Sequence, residues 1–212
     1  MTDLGQHGVT PDPARALTEQ SLRDVASLLA SGVVVVSTSE GDFDHAMTAT
    51  SFNVLSLDPM LAMVSVQCDT RFHDALCGLE GNFGESVIPD SPGSDQRAGH
   101  GWAVSVLPEG EVPAASWFAT KGRPLHGQFD RFAHHRAPRT NAIVFDEAIA
   151  WLELRTWAQY PGGDHTLVVG EVVNVGINPD PESLKQKPGQ SEAELTQNPL
   201  VHWARRYHNL RP

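Results

Sequence analysis

From Gly32 onward the chain is a succession of short β-branched or aromatic runs with almost nothing between them long enough to be a crossover helix. Val33–Thr38, Leu61–Val66, Trp102–Leu107, Ile143–Phe145, Ala148–Thr156 and Thr166–Val175 are divided by Gly, Pro and Asp clusters, which is how strands are punctuated. Neighbouring parallel strands need a connection of a dozen or more residues, usually a helix. Only one further stretch, about Phe72–Leu79, is helical in spacing. The expected fold is mainly β, an antiparallel barrel or sandwich with a few short helices.

The ends and two internal stretches stand apart from that framework. Residues 1–17 carry Gly5, Gly8, Pro11 and Pro13 and little apolar content, so burial cannot offset the entropy of ordering them and a mobile tail is expected. Leu22, Val25, Ala26, Leu28 and Leu29 then recur at helical spacing, with Thr18 or Ser21 as N-cap and Gly32 as stop. Residues 81–101 are rich in Gly, Ser, Pro and Asp, and residues 179–197 are polar, so both are expected as surface excursions. With 212 residues, 40% of them hydrophobic, residues 18–212 are expected to form one domain with a sizeable core.

Charge narrows the partners. The 15 Lys and Arg against 26 Asp and Glu leave a net charge of −11 at pH 7, which disfavours nucleic acid and anionic lipid surfaces. An anionic ligand held by backbone N–H groups and a local cation remains compatible with it. Cys68 and Cys77 are the only cysteines, and no Cys/His spacing fits zinc, so no disulfide framework and no metal site is expected. No apolar run approaches a membrane span, and residues 1–13 lack a signal-peptide core. The expectation is a cytoplasmic protein.

Three segments can carry chemistry. In His45–Pro59, the small or hydroxylated residues Thr48, Ala49, Thr50 and Ser51 let a planar ligand approach the backbone, whose N–H groups can donate to it. The same residues also read as a turn with ordinary hydroxyl capping. In Val66–Leu76, a strand runs through Gln67, Cys68 and Asp69 into a helix with Thr70 at its mouth and Arg71 and His73 just inside. That junction suits a phosphate, and it equally suits a plain N-cap beside a solvated charge. In Gly162–Val173, a glycine turn presents Asp164 and His165 before a long strand; an imidazole there can seat a second ligand or sit on the surface.

Other motifs carry less. Gly78–Gly84 lacks G-x-G-x-x-G spacing and opens no βαβ unit. Ser51 and Ser105 lie in no G-x-S-x-G elbow. His134 and His135, adjacent on a strand, point to opposite faces.

The order of the blocks is informative. Met47–Phe52, Ser56–Pro59, Val64–Val66, Trp102–Pro108 and Gly163–Val172 resemble the successive signatures of the flavin-reductase-like family, over roughly residues 20–210. The resemblance implies a homodimeric antiparallel split β-barrel of Greek-key, FMN-binding type. Thr48, Ala49, Thr50 and Ser51 would meet the isoalloxazine ring, while Gln67, Cys68, Asp69 and Thr70, with Arg71 and His73 as additions, would line the ribityl and phosphate end. His165 would face the nicotinamide. Phe72 stands where a second hydroxyl is common in the family, residues 81–101 look like an added loop, and His202 stands where a tyrosine is common.

The implied activity is hydride transfer from NADH or NADPH to FMN or FAD, with reduced flavin passed to a separate monooxygenase. No protein nucleophile is needed for it. Two alternatives stay open on the residues alone: a flavin-binding module for storage or sensing, and a flavin- or deazaflavin-dependent oxidoreductase acting directly on an organic substrate.

Overall fold

The structure is a computed structural model that describes residues 17–78, 100–178 and 198–210. The expected surface excursions at 81–101 and 179–197 and the tail at 1–17 fall almost wholly outside these residues.

The chain opens with helix α1, Glu19–Ala26. Thr18 caps it, its hydroxyl accepting from Ser21 N at 3.0 Å while Ser21 Oγ accepts from Thr18 N at 2.9 Å, so both cap candidates act as one reciprocal box. The helix ends sooner than the apolar spacing predicts, because Leu28 N and Leu29 N turn back to Val25 O and Ala26 O in tighter, three-residue steps.

Strand β1, Ser31–Gly32, is followed by β2 (Val34–Glu40), β3 (Phe43–Ala49), β4 (Asn53–Leu57), β5 (Met60–Gln67), β6 (Gly101–Val106), β7 (His134–Arg136), β8 (Ile143–Phe145), β9 (Ala150–Gly162), β10 (His165–Ile177), β11 (Val201–Trp203) and β12 (Arg206–His208). Helix α2, Arg71–Cys77, follows β5, and α3, Val112–Ala119, follows β6. All the pairings are antiparallel, and seven strands form one sheet in the order β3-β2-β6-β9-β10-β5-β4. The expected strand at Ala148–Thr156 runs six residues further, because its hairpin with β10 continues to Gly162.

The sheet curls until its two edges meet. Strand β4 pairs with β5 only from Met60 to Met63, which leaves the outer edge of β5 open beyond that point. Ser51, just past β3, fills the gap: its hydroxyl donates to Ser65 O at 3.1 Å and accepts from Ser65 N at 3.2 Å. A side chain thus does the work of a missing strand.

The run Val33–Val36 is buried throughout, as for a strand covered on both faces. Val34 and Val36 face the barrel interior with Val64, Val66, Trp102, Leu154 and Val168, and α2 plugs that interior with Phe72 and Leu76. Val33 and Val35 face outward, against Ala114, Ala115 and Phe118 of α3 and against Phe129 and Phe145. Glu153 of β9 is fully buried and satisfied, accepting from Arg139 N and Thr140 N, both at 2.7 Å, from Thr140 Oγ1 at 2.9 Å and from Asn174 Nδ2 at 2.8 Å. It fastens the loop between β7 and β8 to the sheet.

Candidate active site

A cavity of about 470 Å³ opens where the sheet edges meet. The end of β3 gives one wall with His45, Ala46, Met47, Thr48, Ala49, Thr50 and Ser51, and the end of β5 and start of α2 give another with Gln67, Asp69, Thr70 and Arg71. His165, the first residue of β10, completes it from the hairpin.

Nine of the eleven residues singled out in the sequence line this cavity: Thr48, Ala49, Thr50, Ser51, Gln67, Asp69, Thr70, Arg71 and His165. Cys68 and His73 do not line it. The ring of His73, buried within α2, meets Thr166 Oγ1 through Nε2 at 2.8 Å, and Cys68 Sγ lies 3.8 Å from the same hydroxyl. Both support the wall from behind, because strand alternation sends Cys68 and Thr166 to the face opposite Gln67 and His165.

Several hydroxyls that could have served a ligand are spent on the frame. Thr48 Oγ1 donates to Ala115 O of α3 at 2.6 Å, Ser51 is held by Ser65, and Thr70 donates to Gln67 O at 2.9 Å while accepting from His73 N at 3.1 Å. Thr70 is thus the N-cap of α2 as well as a cavity residue. What Thr48–Ser51 offer inward is a close-packed backbone and small side chains.

Register brings the two remote stretches together. His165 pairs with Gln67 across β10 and β5, and Cys68 N donates to Asp164 O at 3.0 Å. The turn at Gly163 has φ +75, a left-handed conformation that glycine adopts without strain. His165 Nδ1 lies 2.7 Å from Asp164 Oδ1. The hydrogen bond from His165 holds the Asp164 carboxyl below its usual value, and since an ionised carboxylate only accepts, Nδ1 is the donor in that contact.

A third wall was not foreseen. Phe118, Ala119, Thr120, Lys121, Gly122, Arg123 and Leu125 line the cavity from α3 and the loop after it. Helix α3 reads VPAASWFA, apolar nearly all round, so no amphipathic period announces it. The proline inside its first turn was the available signal. His45 was also missed as a wall residue. Its imidazole is pushed below the ordinary histidine value by burial, with Arg71 and Arg123 adding to the effect and Glu40 and Asp44 opposing it.

An antiparallel barrel with a seam, a cavity on that seam, small residues on one wall and cations on another define a split-barrel protein. Residues 26–211 match the flavin reductase like domain, and the chain belongs to that family. It is 31% identical over 193 residues to the NADH-dependent FMN reductase AsuE2 of Streptomyces nodosus subsp. asukaensis, covering 89% of this chain and 83% of the relative. It is 32% identical over 164 residues to an NADH-dependent FAD reductase of Streptomyces globisporus, covering 77% and 79%. Among solved structures, BorF, the flavin reductase component of a bacterial two-component tryptophan halogenase, aligns with a TM-score of 0.69 at 30% identity, over 92% of this chain and 99% of BorF. Among the described residues no cluster of three or more metal-binding side chains occurs, and no helix is long and apolar enough to cross a membrane.

Proposed function

We propose that this protein is an NAD(P)H:flavin oxidoreductase that passes hydride from NADH or NADPH to FMN or FAD. The carrying observation is the convergence on one cavity of Thr48–Ser51, Gln67–Arg71 and His165, with His165 and Gln67 paired across adjacent strands. The cavity fits such a ligand: its volume of about 470 Å³ lies within the range of small-molecule sites, and Ala46 and Ala49 leave the β3 backbone open to a planar ring.

Bound flavin supplies a two-electron acceptor for the hydride. The chain's part is positional and electrostatic. The backbone of Thr48–Ser51 holds the ring, and Gln67, Asp69, Thr70 and Arg71 line the ribityl and phosphate end. His165, held by Asp164, seats the nicotinamide. The relatives named for NADH with FMN and for NADH with FAD support this ligand pair.

BorF's place in a two-component halogenase supports a wider role, in which reduced flavin leaves for a separate monooxygenase. Leu22, Val25, Leu28 and Leu29 at α1, and Val54, Leu55, Leu57 and Met60 around the β4–β5 turn, are exposed; apolar surface of this extent fits a homodimer. Residues 18–212 act as one flavin-binding unit, and the reduced thiols of Cys68 and Cys77 suit a reducing cytoplasm.

Anaerobic titration of the purified protein with FMN and FAD, followed by NADH and NADPH, tests the reading. Loss of flavin absorbance with multiple turnovers is expected. Flavin binding without bleaching by either nucleotide would overturn it in favour of a storage or sensing module.

A further inference from the structure

The cavity carries positive charge that the described residues do not pair with carboxylates. Lys121 and Asp69 pair at the rim, 3.4 Å apart and both well exposed, so they cancel. Arg71 and Arg123 line the same cavity, and among the described residues neither guanidinium has a carboxylate partner. In a chain of net charge −11 that concentration of cations is local and built.

The two arginines differ in what they have left to give. Arg123 spends four N–H donors on the protein: Nε on Gln128 Oε1 at 3.0 Å, Nη1 on Phe118 O and Thr120 O, each at 3.0 Å, and Nη2 on Ala46 O. With five donors in all, it has almost none for a ligand. Its guanidinium also lies 5.0 Å from the centre of the Phe118 ring. Among the described residues Arg71 makes one hydrogen bond, Nη2 to Arg123 O at 2.5 Å, and its side chain lines the cavity.

Gln128 explains why Arg123 stays in place. It is 1% exposed; its side-chain amide donates through Nε2 to Asp44 O at 2.6 Å and accepts at Oε1 from Arg123, while its backbone carbonyl accepts from Trp117 Nε1 at 2.9 Å. Asp44 is in turn clamped by Arg136 at 2.6 and 2.7 Å. A buried amide with both ends used has one orientation, and it aims Arg123 at the β3 backbone.

We infer that Gln128 and Arg123 are positioning residues for phosphate recognition: they fix the Thr120–Leu125 rim and, through the Arg123 carbonyl, the guanidinium of Arg71, which contacts the phosphate of the flavin. The protein then tells phosphorylated flavin from riboflavin through residues that need not touch the phosphate. Burial first, and then the neighbouring Arg71, lower the Arg123 pKa to about 10, as expected for a guanidinium withdrawn from water beside a like charge. The inference rests on the flavin reading above.

Equilibrium titration by flavin fluorescence quenching, with FMN and riboflavin in parallel, tests it without relying on turnover. The wild-type protein is expected to bind FMN about tenfold more tightly than riboflavin, as one charge-assisted bidentate contact provides. Gln128→Leu and Arg71→Gln are each expected to bring that ratio towards one, and the double variant to add little, because the residues act in series. A wild-type ratio near one, an equal loss for both flavins, or additive losses would overturn the inference. If Gln128→Leu does not fold, exposed Arg71→Gln and competition by inorganic phosphate against FMN read the same quantity, and failure of phosphate to compete counts against it. Failure to bind either flavin would sink the flavin reading itself, a result distinct from a ratio of one.

Discussion

Removing the Ser51 hydroxyl separates a residue that holds the barrel from one that holds a ligand. In Ser51→Ala the Ser65 N–H and C=O both lose their partner on the open edge of β5. Each net hydrogen bond is worth about 0.5–1.5 kcal/mol, and the site is half-buried, so the expected loss is about 2 kcal/mol of stability. For a chain of this size that corresponds to a fall in Tm of about 4–8 °C. Thermal unfolding followed by circular dichroism, with flavin quenching on the same samples, measures both effects. Since the hydroxyl's proton and its accepting lone pair are already engaged, flavin affinity should change by less than the stability does. An unchanged Tm together with a tenfold weaker flavin complex would refute the reasoning and return the hydroxyl to the ring.

His165→Ala is expected to lower kcat/KM for the nicotinamide about tenfold while flavin binding stays within a few-fold; steady-state kinetics beside quenching titrations would show an unaltered kcat/KM if the imidazole has no such role. A Cβ at Gly170 would lie 2.5 Å from Trp102 Cζ2 and 2.9 Å from Leu154 Cβ, both side chains fully buried, so Gly170→Ala should cost about 3 kcal/mol by denaturant unfolding. His45 and His73 are both pushed below the ordinary histidine value, chiefly by burial. The unfolded chain therefore takes up their protons first, and stability falls as pH drops from about 6.5 towards the depressed native values. Urea unfolding at about pH 7.5 and 5.5 should show a shallower pH dependence in His73→Gln than in the wild-type protein; an identical slope would remove His73 as a source.

The strands were legible because burial on a sheet face selects β-branched and aromatic residues locally. The Val33–Val36 run and the body of β10 at Thr166–Val175 could be read directly, and Thr18 was one of two cap candidates. Strand β3 was harder, since Asp44 and His45 interrupt its apolar pattern; Asp44 finds its partners, and His45 its burial, only in the folded chain. Helix α3 was missed for the opposite reason, being apolar on all sides, and with it went the cavity wall that carries Lys121 and Arg123.

The flavin site shows the same division. Its candidate residues were visible as small, hydroxylated and cationic types in ordered blocks, because the chemistry of a planar anionic ligand limits which side chains can line its pocket. Which of them face the cavity was decided elsewhere. Strand alternation turned Cys68 away with Thr166, the barrel seam claimed Ser51, and α3 claimed Thr48. Arg123 and Gln128 acquired their roles only when α3 and the loop after it closed over β3. Local composition fixes what an element can be and what chemistry it can offer, whereas the partner of each polar group is set by contacts between residues far apart in the chain, which only the folded structure brings together.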